Sequence, residues 1–140
     1  MVAYLDSSVV LRHILLGDAS IEHAVACGQV ISSELLEIEC RRVLHRYRLN
    51  GDLDDTGFIE ASKRLNDVLT GVSTLALSDV VKKRASGPFP VHVKTLDALH
   101  LASALTFAAA YADETVLVFS HDAGMNRGAL ALGLLAPLHA

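Results

Sequence analysis

The chain has 140 residues, of which 51% are hydrophobic and 20% charged, a composition that excludes a disordered protein and fits one globular domain, residues 1–140. Its net charge of -4 excludes binding of nucleic acid through an overall basic balance, so such a role would need a local basic patch. The longest nearly apolar run, residues 101–112, is too short to cross a bilayer of about 30 Å, and no basic segment precedes the first apolar run. We therefore expect a cytoplasmic protein that does not contact the membrane.

In chain order, short apolar runs that predict strands alternate with segments of helical spacing. The predicted strands are residues 2–5, 29–32, 72–77 and 116–119, with a candidate final strand at 134–138. The first predicted helix lies between Asp6 and Gly17, and the others cover residues 21–26, 33–49, 54 or 56 to 69, 78–85, 95–111 and 123–131. Ser33, Ser78 and Thr95 are the predicted N-caps of three of them. Because the strands are apolar runs that alternate with helices, the sequence predicts an α/β fold with a central parallel sheet flanked by helices on both faces.

Asp6 comes directly after the first predicted strand and before two small hydroxyl residues, Ser7 and Ser8. In open α/β sheets, the carboxyl ends of the strands form the edge where ligands bind. The alternative is that Asp6 caps the next helix, as Asp and Ser often do. Either serine could cap that helix without a charge, so Asp6 indicates a functional site only if other acids reach the same edge.

Two further acids have positions that allow the same two interpretations. Asp122 follows the strand 116–119 as Asp6 follows the first strand, and it is either a site residue or another helix N-cap. Asp97 lies in the first turn of the helix 95–111, where the helix dipole favours an acid by about 0.3–1 kcal/mol. That helix is apolar almost all round and should be buried, and a buried carboxylate is costly unless it is paired or holds a metal ion.

Glu39 lies on the flank of the apolar stripe of the helix 33–49, and not on the opposite face. Its alternative role is an ion pair with Arg42, three residues later on the same helix, which would contribute only tenths of a kcal/mol. Its functional role would be as a fourth acid beside Asp6, Asp97 and Asp122. Glu34 and Glu37 fall farther from the stripe and are expected to be solvated charges.

Four acids at one place would repel each other unless a cation joins them. Two carboxylates about 5 Å apart repel by roughly 3 kcal/mol at an effective dielectric constant near 20. A divalent cation removes that cost, and ligands that are all oxygen atoms suit Mg²⁺ or Mn²⁺ better than Zn²⁺. A carboxylate-bound Mg²⁺ activates water and stabilises charge on a phosphoryl group, which is the chemistry of phosphodiester hydrolysis.

The sequence around these acids resembles the PIN-domain nucleases and, among them, the VapC toxins of bacterial type II toxin–antitoxin modules. The matching stretches are YLDSS at residues 4–8, SEL leading to Glu39 at 33–39, TLDALHLA at 95–102 and SHD at 120–122, and the resemblance covers essentially the whole chain. It implies a single PIN domain, an endoribonuclease dependent on Mg²⁺ or Mn²⁺, frequent homodimerisation and a cognate VapB-type antitoxin.

The resemblance also assigns roles to residues of this chain. Asp6, Glu39, Asp97 and Asp122 match the acidic positions of the family, and Ser8 matches the small hydroxyl residue beside the first acid. Asp6, Asp97 and Asp122 would be metal ligands, and Glu39 would be a ligand or would orient the water. One departure is that Gly124 and Gly128 stand where a helix should follow Asp122, and glycine weakens a helix.

Other interpretations stay open beside a metal-dependent ribonuclease. The chain could be a catalytically inactive PIN-fold module that binds RNA or a protein, or a phosphatase-like hydrolase with a small substrate. The basic segments at residues 41–48 and 82–84 are either solvated helix faces or phosphate contacts to RNA. The seven histidines form no H-E-x-x-H or Cys/His ligand pattern. Most are expected to be surface or structural residues, and His100, three residues after Asp97, is a candidate neighbour of the site.

Overall fold

A computed structural model describes residues 1–140 and contains four strands in a single sheet. The strands are β1 (Val2–Leu5), β2 (Gln29–Ser33), β3 (Ser73–Leu75) and β4 (Val116–Phe119). They are all parallel and lie in the order β3-β2-β1-β4. The predicted central parallel sheet is confirmed.

Seven helices connect or follow the strands, close to the predicted boundaries. They are α1 (Ser7–Leu16), α2 (Ser20–Val25), α3 (Leu35–Leu49), α4 (Asp55–Thr70), α5 (Asp79–Ser86), α6 (Thr95–Ala110) and α7 (Ala123–Ala131). None of the helices combines the length and the apolar character needed to cross a membrane.

The two faces of the sheet carry separate hydrophobic cores because side chains alternate along each strand. Ala3 and Leu5 of β1 belong to a core that includes buried residues of α1, α2, α3 and α4. Val2 and Tyr4 face the other way, into a core with buried residues of α6 and α7. Helices therefore cover both faces of the sheet, as the apolar strands predict.

The strand order changes direction between β1 and β4. From β1 the chain first adds β2 and β3 on one side, and later returns to place β4 on the other side of β1. The amide of Asp6 donates to the carbonyl of Phe119 at 3.0 Å, so the two strands stay paired up to their carboxyl ends. Crevices at such a switch point are where open α/β sheets bind ligands.

Two of the three predicted helix caps are displaced by one residue. Ser78 caps α5 as predicted, by accepting from the amide of Val81. The N-cap positions of α3 and α6 are instead Glu34 and Lys94, and neither makes a side-chain capping bond. Ser33 is still paired in β2, yet its Oγ accepts from the amide of Leu35, the first residue of α3, at 3.1 Å, so the predicted serine still supplies a capping bond. Thr95 is not the cap because it is already the first residue of α6.

The predicted strand at residues 134–138 is wrong, and the one at 72–77 is too long. Only Leu135 pairs with the sheet, through an isolated parallel bridge to Leu117. Pro137 has no amide hydrogen to donate, so the segment is a poor candidate for a longer ladder. The observed β3 has three residues at the edge of the sheet.

Gly128 permits close packing between α6 and α7. A Cβ at this position would lie 2.7 Å from Cδ1 of Leu101 and 3.0 Å from Cγ1 of Val93. Gly128 is itself inside α7. The glycine that weakens the helix in the sequence is therefore needed for its contact with α6.

Candidate active site

Four acidic side chains that lie far apart in the sequence border one cleft at the carboxyl edge of the sheet. The cleft has a volume of about 390 Å³ and is lined by Asp6, Ser7, Ser8, Glu39, Lys94, Thr95, Leu96, Asp97 and Asp122. It includes the residues that follow β1 and β4, at the switch point of the sheet. The structure thus brings together the four acids expected from the sequence, while their roles in a reaction remain a prediction.

Asp6 is held by two hydroxyl groups and does not cap a helix. It occupies the N-cap position of α1, but its side chain makes no capping hydrogen bond. Its Oδ2 accepts from the hydroxyls of Ser8 and Ser120, each at 2.7 Å. The side chain is only 5% exposed, and Oδ1 has no hydrogen-bond partner among the protein's side chains. The capping alternative for Asp6 is therefore wrong.

Asp122 caps a helix and lines the cleft at the same time. Its Oδ1 accepts from the amides of Gly124 at 2.8 Å and Met125 at 3.3 Å, which fixes the carboxylate at the start of α7. The other oxygen, Oδ2, accepts neither of these bonds. The two interpretations of this residue are compatible because each uses a different oxygen.

Asp97 is half-buried in the first turn of α6 and has no ion-pair partner. Its pKa is raised from 3.8 to about 6, first by burial and then by the charges of Asp122 and Asp6. His100 and Lys94 act in the opposite direction and are weaker influences. The elevated pKa shows that the negative charge of Asp97 is held at a cost in this cleft.

Glu39 is paired with a buried histidine and not with the arginine that the sequence suggested. Its Oε1 lies 2.5 Å from Nε2 of His100, and its side chain is 18% exposed. Arg42 forms no ion pair with it; the arginine–glutamate pair within α3 joins Arg41 to Glu37. The Arg42 alternative is therefore wrong, and Glu39 reaches the cleft from the side of α3.

The donor groups in this cleft fit a hard divalent cation by their chemistry. The carboxylates offer only oxygen atoms, and none of the ion pairs in the protein neutralises Asp6, Asp97 or Asp122. The pKa of Asp97 is raised first by burial and then by the charges of Asp122 and Asp6, and a cation in the cleft would offset these influences. No three His, Cys, Asp or Glu side chains are already arranged to hold an ion, so binding would require side-chain rotation.

Two residues that hold groups at this site, Ser120 and Tyr4, were not assigned a role from the sequence. Ser120 is fully buried and shares Asp6 Oδ2 with Ser8; its place directly after β4 is a signal that could have revealed it. Tyr4 donates to or accepts from Nδ1 of His100 at 2.7 Å. Nothing in the sequence marks that contact, because it joins residues 96 positions apart.

A second, mainly apolar cleft of about 500 Å³ contains none of the four acids. Its walls come from α1, α2, β2 and α4 and the segments beside them. All four acids expected from the sequence therefore border the smaller cleft.

Comparison with known proteins identifies a family for the whole fold. The family model described as PIN domain matches residues 3–129. Among solved structures, the crystal structure of PAE2754 from Pyrobaculum aerophilum matches with a TM-score of 0.59 and 16% identity, over 99% of this chain and 82% of that chain. At that identity the likeness shows the fold alone. No curated protein matches the chain.

Proposed function

The chain belongs to the PIN-domain family, and from this premise we propose that it is a Mg²⁺- or Mn²⁺-dependent endoribonuclease that acts as the VapC-type toxin of a type II toxin–antitoxin module. The observation that carries the proposal is the acidic cleft. Asp6, Glu39, Asp97 and Asp122 border it at the switch point of the sheet. Three of these acids have no cationic partner. Asp97 has neither a capping bond nor an ion pair, which a purely structural acid at a half-buried position would have.

The protein's own side chains would set the geometry of the reaction. A divalent ion held by Asp6, Asp97 and Asp122 would supply charge stabilisation at the phosphate and lower the pKa of a water molecule. Ser8 and Ser120 restrain Asp6 through Oδ2, and the amides of α7 restrain Asp122 through Oδ1.

We assign the transfer of a proton to Glu39. Its Oε1 is bonded to His100, and its Oε2 has no such bond, so Oε2 accepts the proton of the attacking water. The water oxygen forms a new bond to phosphorus, the bond from phosphorus to one ribose oxygen breaks, and solvent protonates the leaving oxygen.

The substrate backbone would lie along the exposed side of α3. Arg42 and Arg46 follow Glu39 by three and seven residues, about 4.5 Å and 10 Å farther along the helix axis. Both are exposed and neither forms an ion pair. On the same helix, Arg41 and Arg48 are paired with Glu37 and Asp55. The two unpaired arginines are therefore the ones available to RNA phosphates.

The proposed partners follow from the toxin role. A VapB-type antitoxin would cover the acidic cleft with a short segment and place a basic side chain against the carboxylates. The toxin itself would be a homodimer. Growth arrest on expression of the chain alone, relieved by the co-expressed antitoxin, supports the first proposal, and light scattering of the purified protein at micromolar concentration tests the second.

The decisive experiment is RNA cleavage by protein freed of any partner, with Mg²⁺, with Mn²⁺ and with EDTA. We expect cleavage with either ion, none with EDTA, and none by the Asp6→Asn variant with either ion. Asp113→Asn is a matched control, because Asp113 is an exposed acid outside the cleft. Cleavage at full rate in EDTA contradicts the proposal.

A parallel assay separates this function from its rivals. Hydrolysis of p-nitrophenyl phosphate with no cleavage of RNA would indicate a phosphatase-like enzyme. RNA binding without cleavage in either ion would indicate an inactive binding module. Mapping the 5′ ends of cellular RNA after induction then identifies the bond that is cut.

A further inference from the structure

A buried hydrogen-bonded chain connects the core of the protein to the acidic cleft. The hydroxyl of Tyr4 lies 2.7 Å from Nδ1 of His100, and Nε2 of His100 lies 2.5 Å from Oε1 of Glu39. The tyrosine and the histidine have no exposed surface. Three elements, β1, α6 and α3, each supply one of the three groups.

This row of hydrogen bonds does more than satisfy a buried histidine, because Glu39, at its end, is not in the core. Glu39 is 18% exposed and lines the cleft with Asp6, Asp97 and Asp122. Only its Oε1 is engaged by His100. An imidazole held at both nitrogens therefore restrains one oxygen of a carboxylate whose other oxygen makes no hydrogen bond to the protein.

The position of the hydrogens follows from the partners. Burial raises the pKa of Tyr4, so its hydroxyl keeps its proton. When His100 is neutral, that hydroxyl donates to Nδ1 and the ring hydrogen is on Nε2, directed at Glu39. When His100 is charged, Nε2 still carries a hydrogen. His100 is thus a donor to Glu39 in both charge states, and the tyrosine selects this arrangement in the neutral one.

We propose that His100 and Tyr4 are positioning residues of the nuclease site, which fix the Glu39 carboxylate with Oε1 towards the imidazole and Oε2 towards the cleft. This inference rests on the proposed function, because it assigns to Glu39 a part in the reaction. Partners of this kind that orient the groups around a metal site typically contribute about 10–100-fold in metal affinity or activity.

The first test uses the metal-free protein and needs no activity. In ¹⁵N-labelled protein, two-bond ¹⁵N–¹H correlations of the imidazole report which nitrogen of His100 carries hydrogen. We expect hydrogen on Nε2 at every pH at which the protein is folded. In Tyr4→Phe, a measurable fraction of the neutral ring should shift its hydrogen to Nδ1. A ring whose hydrogen is on Nδ1 alone in the wild type overturns the proposal.

The second test separates positioning from general stability by kinetics. His100→Asn removes the donor to Glu39, whereas His100→Gln keeps an amide near the position of Nε2. We expect kcat to fall about 10–100-fold in His100→Asn, with KM changed less than threefold and part of the loss recovered in His100→Gln. Thr106→Ala is the control, because it removes a partly buried hydroxyl of α6 that bonds only to Ala102.

A double-mutant cycle shows whether His100 acts through Glu39. If it does, adding His100→Asn to Glu39→Gln should reduce kcat little further. If the wild type cleaves RNA and His100→Asn is as active as Thr106→Ala, the positioning role is overturned and the nuclease function stands. A wild type that does not cleave RNA refutes the function, and the kinetic role falls with it; the imidazole correlations show separately whether the hydrogen-bonded chain exists.

Discussion

Replacing Asp97 by asparagine should stabilise the metal-free protein by an amount that grows between pH 3.8 and about 6 and is constant above that range. The pKa of this carboxyl is raised from 3.8 to about 6, first by burial and then by Asp122 and Asp6. The difference between the two values corresponds to roughly 3 kcal/mol as an upper limit. Because the side chain is only half-buried, solvent screening reduces the expected gain to about 1 kcal/mol.

The sign of the pH dependence follows from proton binding. Between pH 3.8 and about 6, the folded state binds more protons at Asp97 than the unfolded state does, so its stability falls as the pH rises. Below that window the carboxyl is neutral in both states and costs nothing. Asparagine has no charge at any pH, so the benefit of Asp97→Asn should be present at pH 7.5 and absent near pH 3.5.

Thermal melting in EDTA at these two pH values measures the effect. For a chain of this length, about 1 kcal/mol corresponds to a rise of about 3 °C in Tm. Millimolar Mg²⁺ should raise Tm of the wild type more than that of the variant, since a ligand that binds only the folded state stabilises by mass action. The exposed Asp113→Asn should show neither effect. A variant that melts below the wild type at pH 7.5, or gains equally at both pH values, refutes the reasoning.

Three further predictions concern a cap, a helix contact and the substrate surface. Asp122→Asn should abolish cleavage and leave Tm unchanged or slightly higher, because Asn caps about as well as Asp and the repulsion of Asp97 is removed. Asp122→Ala, which loses the cap, should be about 1 kcal/mol less stable than Asp122→Asn in chemical denaturation and equally inactive. Gly128→Ala should lower the free energy of unfolding by about 1–3 kcal/mol, because its Cβ has no space against α6; an unchanged denaturation midpoint would contradict the packing. Arg42→Gln combined with Arg46→Gln should raise KM for RNA without changing kcat and should flatten the salt dependence of binding, whereas the ion-paired Arg41→Gln should do neither.

The fold was predictable from the sequence wherever the pattern extended over a whole element. The apolar run at Val2–Leu5 and the one at Val116–Phe119 are strands with the predicted bounds. The apolar pattern gave a wrong prediction for the candidate strand 134–138, because apolar residues can also cover a core without joining a sheet. Leu134 is buried in that way, and only Leu135 pairs with β4.

The partners of the acids could not be predicted, because they depend on which strands become neighbours. Ser120 reaches Asp6 only because β4 pairs with β1, and no local sequence pattern determines the order of the strands in the sheet. The contact between Glu39 and His100 likewise depends on how α3 and α6 meet beside the sheet. The sequence could place an acid at a strand end, but it could not show which donor would hold it.

The four carboxylates differ in how they are restrained, and this difference bears on how the cleft would accept a cation. Asp6, Asp122 and Glu39 each have one oxygen engaged by a hydroxyl, backbone or imidazole donor, so each turns about a fixed point. Asp97 has no such donor among the influences on its pKa, and it is the one whose pKa is raised. Three ordered oxygens reduce the conformational entropy lost on binding an ion. Burial and the charges of Asp122 and Asp6 both disfavour the ionised form of Asp97, and for this reason neutralising Asp97 is expected to stabilise the metal-free fold.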